Sequence, residues 1–207
     1  MVTDYLSKYR IILASRSARR QQLLRELGVD FEIVLKDFDE SFPDGLTGEE
    51  IAGYVAGKKS KAFSGEIKEN EIIITADTIV WCRGKVLGKP VDSEDAVSML
   101  REISGRTHDV ITGVSIMTKN KNITFTESTK VTFKEMTDSE IHYYVEKYAP
   151  YDKAGAYGIQ EWIGLAACSH IDGSYFNVVG LPVHRLYAEL KKIVSVDGQM
   201  ASGDKNK

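Results

Sequence analysis

The segment Asn70–Cys82, NEIIITADTIVWC, constrains the fold more than any other stretch of the chain. Three consecutive isoleucines and a closing Ile-Val-Trp-Cys make a short, nearly continuous apolar run, the pattern of a strand covered on both faces. Such a strand belongs at the centre of a sheet, so the rest of the chain must supply neighbouring strands and covering layers. The run also holds one acid, Asp77. A carboxylate in so apolar a setting is costly unless it is paired or bound to a cation. Two readings stay open: a structural aspartate satisfied by backbone or by Thr75 and Thr78, and a functional carboxylate.

The neighbours can be read on either side. YRIILAS is a short apolar strand. Residues 16–27 read as a helix stopped by Gly28, and DFEIVL as a second strand. DFDESFPDGLTG is an acidic loop with turn chemistry at Pro43, Asp44 and Gly45. Residues 48–64 read as a helix, GKVLGKP as a tight hairpin or loop, and residues 92–103 as a helix capped by Asp92 or Ser93. HDVITGVSIMT is a strand, and after a turn at Lys119–Asn122 the alternating ITFTESTKVTFKEM returns antiparallel to it. TDSEIHYYVEKY opens on a capping box, Thr137 with Glu140. DKAGAYGIQEWIG and HIDGSYFNVVGLP are glycine-rich and aromatic, and read as loops around a site. PVHRLYAELKKIV closes the domain as a helix with Pro182 at or near its first position. Strand–helix alternation followed by an antiparallel pair predicts an α/β fold with a mixed sheet.

The 207 residues, 43% hydrophobic, suffice for a chain with a sizeable core, in one large domain or two small lobes. We assign residues 1–195 to one domain, and read 196–207, polar and without periodicity, as a disordered tail. A net charge of −3 gives no basic field, so no nucleic-acid partner is expected. Cys82 and Cys168 have no CxxC spacing and read as buried free thiols. The opening MVTDYLSKYR has no secretory hydrophobic stretch, and no window approaches the ~20 apolar residues of a membrane span. A soluble, cytoplasmic protein without a membrane partner is the expectation.

In IILASRSARRQQLL, Arg16, Arg19 and Arg20 crowd between two apolar stretches. Three arginines this close repel one another unless something anionic lies between them. A strand end, two hydroxyls at Ser15 and Ser17, a helix N-terminus and guanidinium forks together form an anion site. The other reading is a solvated helix start, with Ser15 or Ser17 as N-cap. The glycines of a Walker loop are absent. Elsewhere Asp37, Asp39 and Glu40 read as loop surface unless they approach Asp77. Lys59 stands beside Lys58 and Lys61, Lys89 is held between glycine and proline, and SGRTHDV and DKAGAYGIQ add Arg106, His108, Lys153 and Gln160. His108 has no ligand-spaced His or Cys, which argues against zinc. An anion cradle, cationic side chains and a deep carboxylate match metal-assisted attack on a phosphoryl group.

Six segments, LASRSARRQQLLRELG, ADTIV, LGKP, SGRTHDVITGV, DKAGAYGIQ and GSYFNVVGLP, together resemble the Maf family of nucleoside triphosphate pyrophosphatases in order and approximate spacing, from about Ile11 to about Leu190. The resemblance implies a Maf/ITPase-like mixed twisted sheet with flanking helices and two lobes around a central cleft. It implies Asp77 as proton acceptor, Glu40 with Asp77 as holders of a divalent cation (Mg²⁺ or Mn²⁺), and Ser15, Ser17, Arg20, Lys59 and Lys89 on the nucleotide's phosphates. Arg19, Thr78 and Gln160 match the selectivity positions of the pyrimidine branch, which implies hydrolysis of dTTP and UTP, ordinary or modified, to the monophosphate and pyrophosphate. The family usually shows Ser-x-Ser-Pro-Arg-Arg, and here Ala18 replaces the proline.

The competing readings are a nucleotide-binding regulator of septum formation with little catalysis, and a phosphatase or kinase with different products. The family also implies a homodimer. For its interface the sequence offers the strand ITFTESTKVTF or the aromatics Tyr143, Tyr144 and Tyr148, read as exposed.

Overall fold

The computed structural model describes residues 6–203, with side chains described as far as Ser195. Its strands are β1 (Arg10–Leu13), β2 (Glu32–Ile33), β3 (Glu71–Cys82), β4 (Lys85–Leu87), β5 (Thr107–Met117), β6 (Asn122–Phe133) and β7 (Cys168–Asp172). Its helices are α1 (Ala18–Glu26), α2 (Gly48–Lys61), α3 (Ser93–Ile103), α4 (Asp138–Tyr148), α5 (Trp162–Ala167), α6 (Tyr175–Val179) and α7 (Val183–Gly203). The strands form one mixed sheet in the order β2-β1-β3-β5-β6-β7, with β4 also on β3. The architecture is α/β, with β1 parallel to β2 and β3 and the remaining pairs antiparallel.

The apolar run is the middle of this sheet, and its two edges differ. Along one, β5 pairs with β3 from Ile73 to Trp81. Along the other, β1 covers Glu71–Ile74 and β4 covers Val80–Cys82. Among the described residues no strand pairs with Thr75–Ile79 on that edge. The gap has a local cause at each end. After Ala14, whose N–H donates to the Ile74 carbonyl at 2.9 Å, the chain leaves β3 and turns into α1. At the far end a two-residue turn, Arg83 (φ 51°) and Gly84 (φ 77°), sends β4 back only three residues. Left-handed conformation at both positions suits the twist of a tight hairpin.

Packing divides at the same place. On one face, Leu13, Leu24, Ile72, Ile74, Leu186 and Leu190 form a cluster beneath α1 and α7. A second cluster, with Val80, Leu100, Ile103, Phe133, Tyr144 and Ile163, lies under α3, α4 and α5. Thr78 sits between them, half-buried. On the opposite face α2 lies against β3 and β5 through Ile51, Val55, Ile79 and Ile111. The approach is close because Gly113 has no side chain: a Cβ there would stand 2.1 Å from the Ala52 carbonyl oxygen. Thr75 Oγ1 donates to the Ala56 carbonyl at 2.7 Å and fixes α2 along the strand.

Several expectations need correction. DFEIVL yields only the two exposed residues of β2, because its partner β1 is four residues long and turns away. HIDGSYFNVVGLP is not simply a loop: it contributes to the edge strand β7 and forms α6. Tyr144 is fully buried, whereas Tyr143 remains 42% exposed. β6 is paired with β5 along its length and with β7 at its C-terminal end, so only part of one edge is open. Cys168 is half-buried. Pro182 just precedes α7, its carbonyl accepting from Arg185 and Leu186 N–H at 3.1 and 3.0 Å. α7 continues to Gly203, past the end of its apolar periodicity, and residues 204–207 of the predicted tail lie outside the described residues.

Candidate active site

The gap in β3 pairing opens into a cleft of about 540 Å³. Ser15, Ser17, Arg19, Arg20, Glu40, Lys59, Asp77, Thr78, Lys89 and Gln160 all line it. These residues come from six separate parts of the chain, and the open stretch of β3 is where they meet.

Successive residues of a strand point to opposite faces, so Asp77 and Thr78 divide the cleft between them. Asp77 points to the α2 face. There Lys59 Nζ lies 2.6 Å from Asp77 Oδ1 and 3.5 Å from Glu40 Oε1, with the Phe38 ring 5.0 Å away. Thr78 points to the α1 face. Its Oγ1 accepts from Arg20 Nη2 at 2.8 Å and shares a hydrogen bond with Thr112 Oγ1 at 3.0 Å. Thr112 Oγ1 donates in turn to the Asn177 carbonyl at 3.2 Å. Two chemistries thus stand back to back on one strand: a carboxylate–ammonium group on one face and a guanidinium–hydroxyl group on the other.

The structure separates residues that the sequence left together. Of the three acids in DFDES, Asp37 and Glu40 line the cleft, while Asp39 is turned to Lys58 Nζ at 2.9 Å. Hydrogen bonds from Ser41, first, and from Lys58 hold the Asp39 carboxyl well below the usual carboxylate range. That pairing pins the loop carrying Glu40. Of the three lysines, Lys59 enters the cleft, Lys58 holds Asp39, and Lys61 is exposed.

The arginine cluster uses parts of both readings. Ser17 is the N-cap of α1, with extended backbone (φ −64°, ψ 112°) and its Oγ accepting from Arg20 N–H at 3.4 Å. Ser15 is buried and its Oγ accepts from Ser17 N–H at 3.2 Å. Arg20 turns inward, where Nε donates to the Gly180 carbonyl at 2.8 Å. Burial lowers its guanidinium from the ordinary arginine value, and the Asp77 charge opposes that shift. Arg19 pairs with Asp152 at 2.8 Å. Arg16 is exposed. Repulsion within the cluster is therefore relieved by separation: Arg19 and Arg20 reach different partners.

Lys89 and Gln160 complete the opposite wall and are exposed at the cleft surface. Among the described residues no hydrogen bond occupies the Gln160 amide. Arg106 and His108 do not line the cleft. Arg106 Nη1 donates to the Glu102 carbonyl at 2.6 Å at the end of α3, and His108 is buried against Phe133 and Tyr157. Asp152, Thr112 and Asn177 belong to the site and are not predicted from the sequence. Asp152 is adjacent to a lysine in an ordinary polar turn; Thr112 reaches Thr78 through the β3–β5 register, and Asn177 reaches Thr112 from α6.

A profile of the Maf-like protein family matches residues 10–193, nearly the whole chain. The chain belongs to the Maf family. Among curated relatives, a dTTP/UTP pyrophosphatase of Flavobacterium johnsoniae is 51% identical over 194 residues, covering 94% of this chain and all of that protein. Those of Parabacteroides distasonis and Phocaeicola vulgatus are 52% and 53% identical, covering 91% and 92% of this chain and 98% and 99% of theirs. Among solved structures, the Staphylococcus aureus Ham1 protein aligns at a TM-score of 0.42 and 14% identity, covering 60% of this Maf chain and 71% of its own.

The cleft also bears on a cation. Glu40 and Asp77 converge on one Lys59 ammonium, so two hard oxygen donors face the same small volume. Among the described residues no group of three or more His, Cys, Asp or Glu side chains is arranged to hold a metal ion. Mg²⁺ is commonly held by one or two carboxylates together with substrate phosphates and water. The donor set fits such an ion.

Proposed function

We propose that this protein is a dTTP/UTP pyrophosphatase, cleaving the nucleoside triphosphate to the monophosphate and pyrophosphate by attack of water on the α-phosphorus. The observation that carries the reading is the position of Asp77 in the stretch of β3 left unpaired along one edge, 2.6 Å from Lys59, in a cleft shared with Arg19, Arg20, Lys89 and Gln160. The names of relatives near 50% identity over nearly their full length supply the substrates.

In this reading Asp77 orients a water molecule and accepts its proton. Lys59 and Lys89 meet the phosphate charge, and Arg20, locked to Thr78 and Gly180, gives the opposite wall a fixed positive charge. Glu40 and Asp77 would hold a divalent cation, which when bound neutralises charge on phosphate oxygens. Gln160 offers one donor and one acceptor, which pair with O4 and N3–H of uracil or thymine. The expectation of a homodimer follows from the family resemblance and that of a cytoplasmic location from the sequence; both are part of the proposal, and sedimentation of the purified protein tests the dimer. No described helix is long and apolar enough to cross a membrane.

The test is a panel of dTTP, UTP, CTP, GTP and modified pyrimidine nucleotides with Mg²⁺ or Mn²⁺, resolving monophosphate, diphosphate, pyrophosphate and orthophosphate. Monophosphate plus pyrophosphate from dTTP and UTP is expected, and a chelator should stop it. Orthophosphate or diphosphate would indicate a phosphatase or kinase, and binding without product a regulatory role. Preference for CTP or purines would refute the roles of Arg19, Thr78 and Gln160.

A further inference from the structure

Residues 152–161 form a loop whose two ends are tied together by a buried ammonium. Lys153 is only 7% exposed. Its Nζ lies 2.7 Å from Asp152 Oδ1 and 3.2 Å from Glu161 Oε1. The second oxygen of Asp152 accepts from Arg19 Nη1 at 2.8 Å. The second oxygen of Glu161 accepts from the buried Tyr144 hydroxyl. That hydroxyl in turn accepts from Gly158 N–H at 3.0 Å. An unbroken chain of polar contacts therefore runs from Arg19 through Asp152, Lys153, Glu161 and Tyr144 to the Gly158 backbone. Gln160 lies between its last two attachment points in sequence, Gly158 and Glu161.

The loop has little freedom elsewhere. Gly155 adopts φ 66°, and a Cβ there would stand 2.7 Å from a Val80 methyl. Its N–H donates to the Gly88 carbonyl at 2.9 Å, which ties the loop to the segment carrying Lys89. Ala156, Tyr157 and Ile159 are buried in the second apolar cluster. A buried ion pair contributes little net stability, because desolvation offsets much of its attraction. Its value here is geometric: one ammonium fixes an acid that holds Arg19 and an acid that anchors the strand of loop presenting Gln160.

We propose that Lys153 is a positioning residue for base selection, setting the spacing between Arg19 and Gln160 through Asp152 on one side and through Glu161 and Tyr144 on the other. This rests on the pyrophosphatase reading and deepens it: Lys153 lines the cleft, but its ammonium is held by Asp152 and Glu161 rather than by Asp77. If the spacing is lost, the cleft still holds a triphosphate but reads its base poorly.

The experiment measures kcat and KM for UTP, dTTP, CTP and GTP by pyrophosphate release, for the wild type and for Lys153→Met, Lys153→Arg and Tyr144→Phe. In Lys153→Met the kcat/KM ratio of UTP to CTP should fall about tenfold or more, the scale of a misplaced polar contact. The loss should appear mainly in KM for UTP. Lys153→Arg should recover most of the ratio, and Tyr144→Phe, lacking one hydroxyl, should shift it in the same direction. An equal loss for every nucleotide would show a merely structural role and overturn the proposal. Should Lys153→Met fail to fold, an unchanged ratio in Tyr144→Phe overturns it equally. A wild type that prefers another base refutes the substrate assignment separately, and the ratio is then taken for the preferred base with the same consequences.

Discussion

Lys59 Nζ lies 2.6 Å from Asp77 Oδ1, the closest charge contact in the cleft, and it joins α2 to the stretch of β3 that is left unpaired between β1 and β4 along one edge. The pair explains how an aspartate persists in so apolar a strand. Asp77 is 20% exposed on its side chain and Lys59 is 11% exposed, so each charge is largely desolvated and each has the other as partner. The lysine is placed by α2, which is placed by its close contact with β5 at Gly113. The neighbouring Thr78 faces away, toward Arg20 and Gly180. Period-two alternation thus separates the carboxylate of the proposed proton transfer from the hydroxyl of the proposed selectivity site by a single peptide.

Asp77→Asn keeps the size of the side chain and removes its basicity. Turnover should fall about 10²- to 10⁴-fold, the usual contribution of a positioned base, in a protein that still folds cooperatively. Because Lys59 contacts Asp77 directly, Lys59→Met added to Asp77→Asn should cost far less than Lys59→Met alone. Independent, multiplicative losses would show that the two do not work as a unit, and wild-type-like pyrophosphate release by Asp77→Asn would remove the assignment.

Ala18 is the first residue of α1 and is exposed, directly after the N-cap Ser17. Ser17 already has the extended backbone (φ −64°, ψ 112°) that a following proline requires. Proline at the first helical position loses no intrahelical hydrogen bond. Ala18→Pro should therefore stabilise the protein by about 0.4–1 kcal/mol through the unfolded chain, raising the melting temperature by roughly 1–4 °C. A lower melting temperature would mean that the turn into α1 needs freedom that alanine provides.

The elements were legible where the period was strong. The central strand, the antiparallel β5–β6 pair and the capping box of α4 follow from the chain directly, and the last is present as Thr137 and Glu140. What periodicity does not reveal is where a strand stops being paired. Nothing in YRIILAS shows that β1 leaves β3 after Ile74, yet that departure creates the cleft. The same limit applies to the site. Lys58, Lys59 and Lys61 are equivalent by composition, and only the rotation of α2 about its axis brings Lys59 to Asp77. Tyr144 read as an exposed aromatic, because the helix face it occupies is covered by a distant segment, residues 157–163.

Gly113 lies in the middle of β5, opposite Asp77 in the ladder. A side chain there would drive into the backbone of α2, with Cβ 2.1 Å from the Ala52 oxygen and 2.8 Å from Gly53 nitrogen. Neither is the mobile end of a side chain, so α2 itself would have to move. Gly113→Ala should destabilise the fold by about 2 kcal/mol or more and reduce turnover beyond what the loss of folded protein explains, because Lys59 travels with the helix. Denaturant midpoints and activity per folded molecule separate the two effects. Wild-type stability in this variant would show that α2 is not held by the close contact.

His108 supplies a pH dependence that is independent of the cleft. It is 2% exposed, packed edge-on against Phe133 and Tyr157, with Nε2 2.8 Å from the Tyr157 hydroxyl. Its Nδ1 has no hydrogen-bond partner among the described residues. Burial pushes the imidazole down to about 4, with the Asp109 charge opposing the shift. The neutral ring is therefore the folded form at neutral pH. Between pH 6.5 and 4 the unfolded chain binds a proton at this position that the folded chain does not, so stability falls as the pH drops through that window. Above 6.5 both states are neutral and below 4 both are protonated, so His108 adds no further change outside it. The loss should reach about 2 kcal/mol by pH 5 and on the order of 3 kcal/mol at the lower end. Glu71 and Glu140 add their own losses only as the pH falls below the ordinary glutamate range, because backbone and side-chain hydrogen bonds hold both carboxyls low. Urea unfolding at pH 7.5 and pH 5 should therefore show a drop in the wild type that His108→Gln, which keeps a partner for Tyr157 but does not titrate, lacks. Equal drops in the two proteins would place the acid sensitivity elsewhere in the fold.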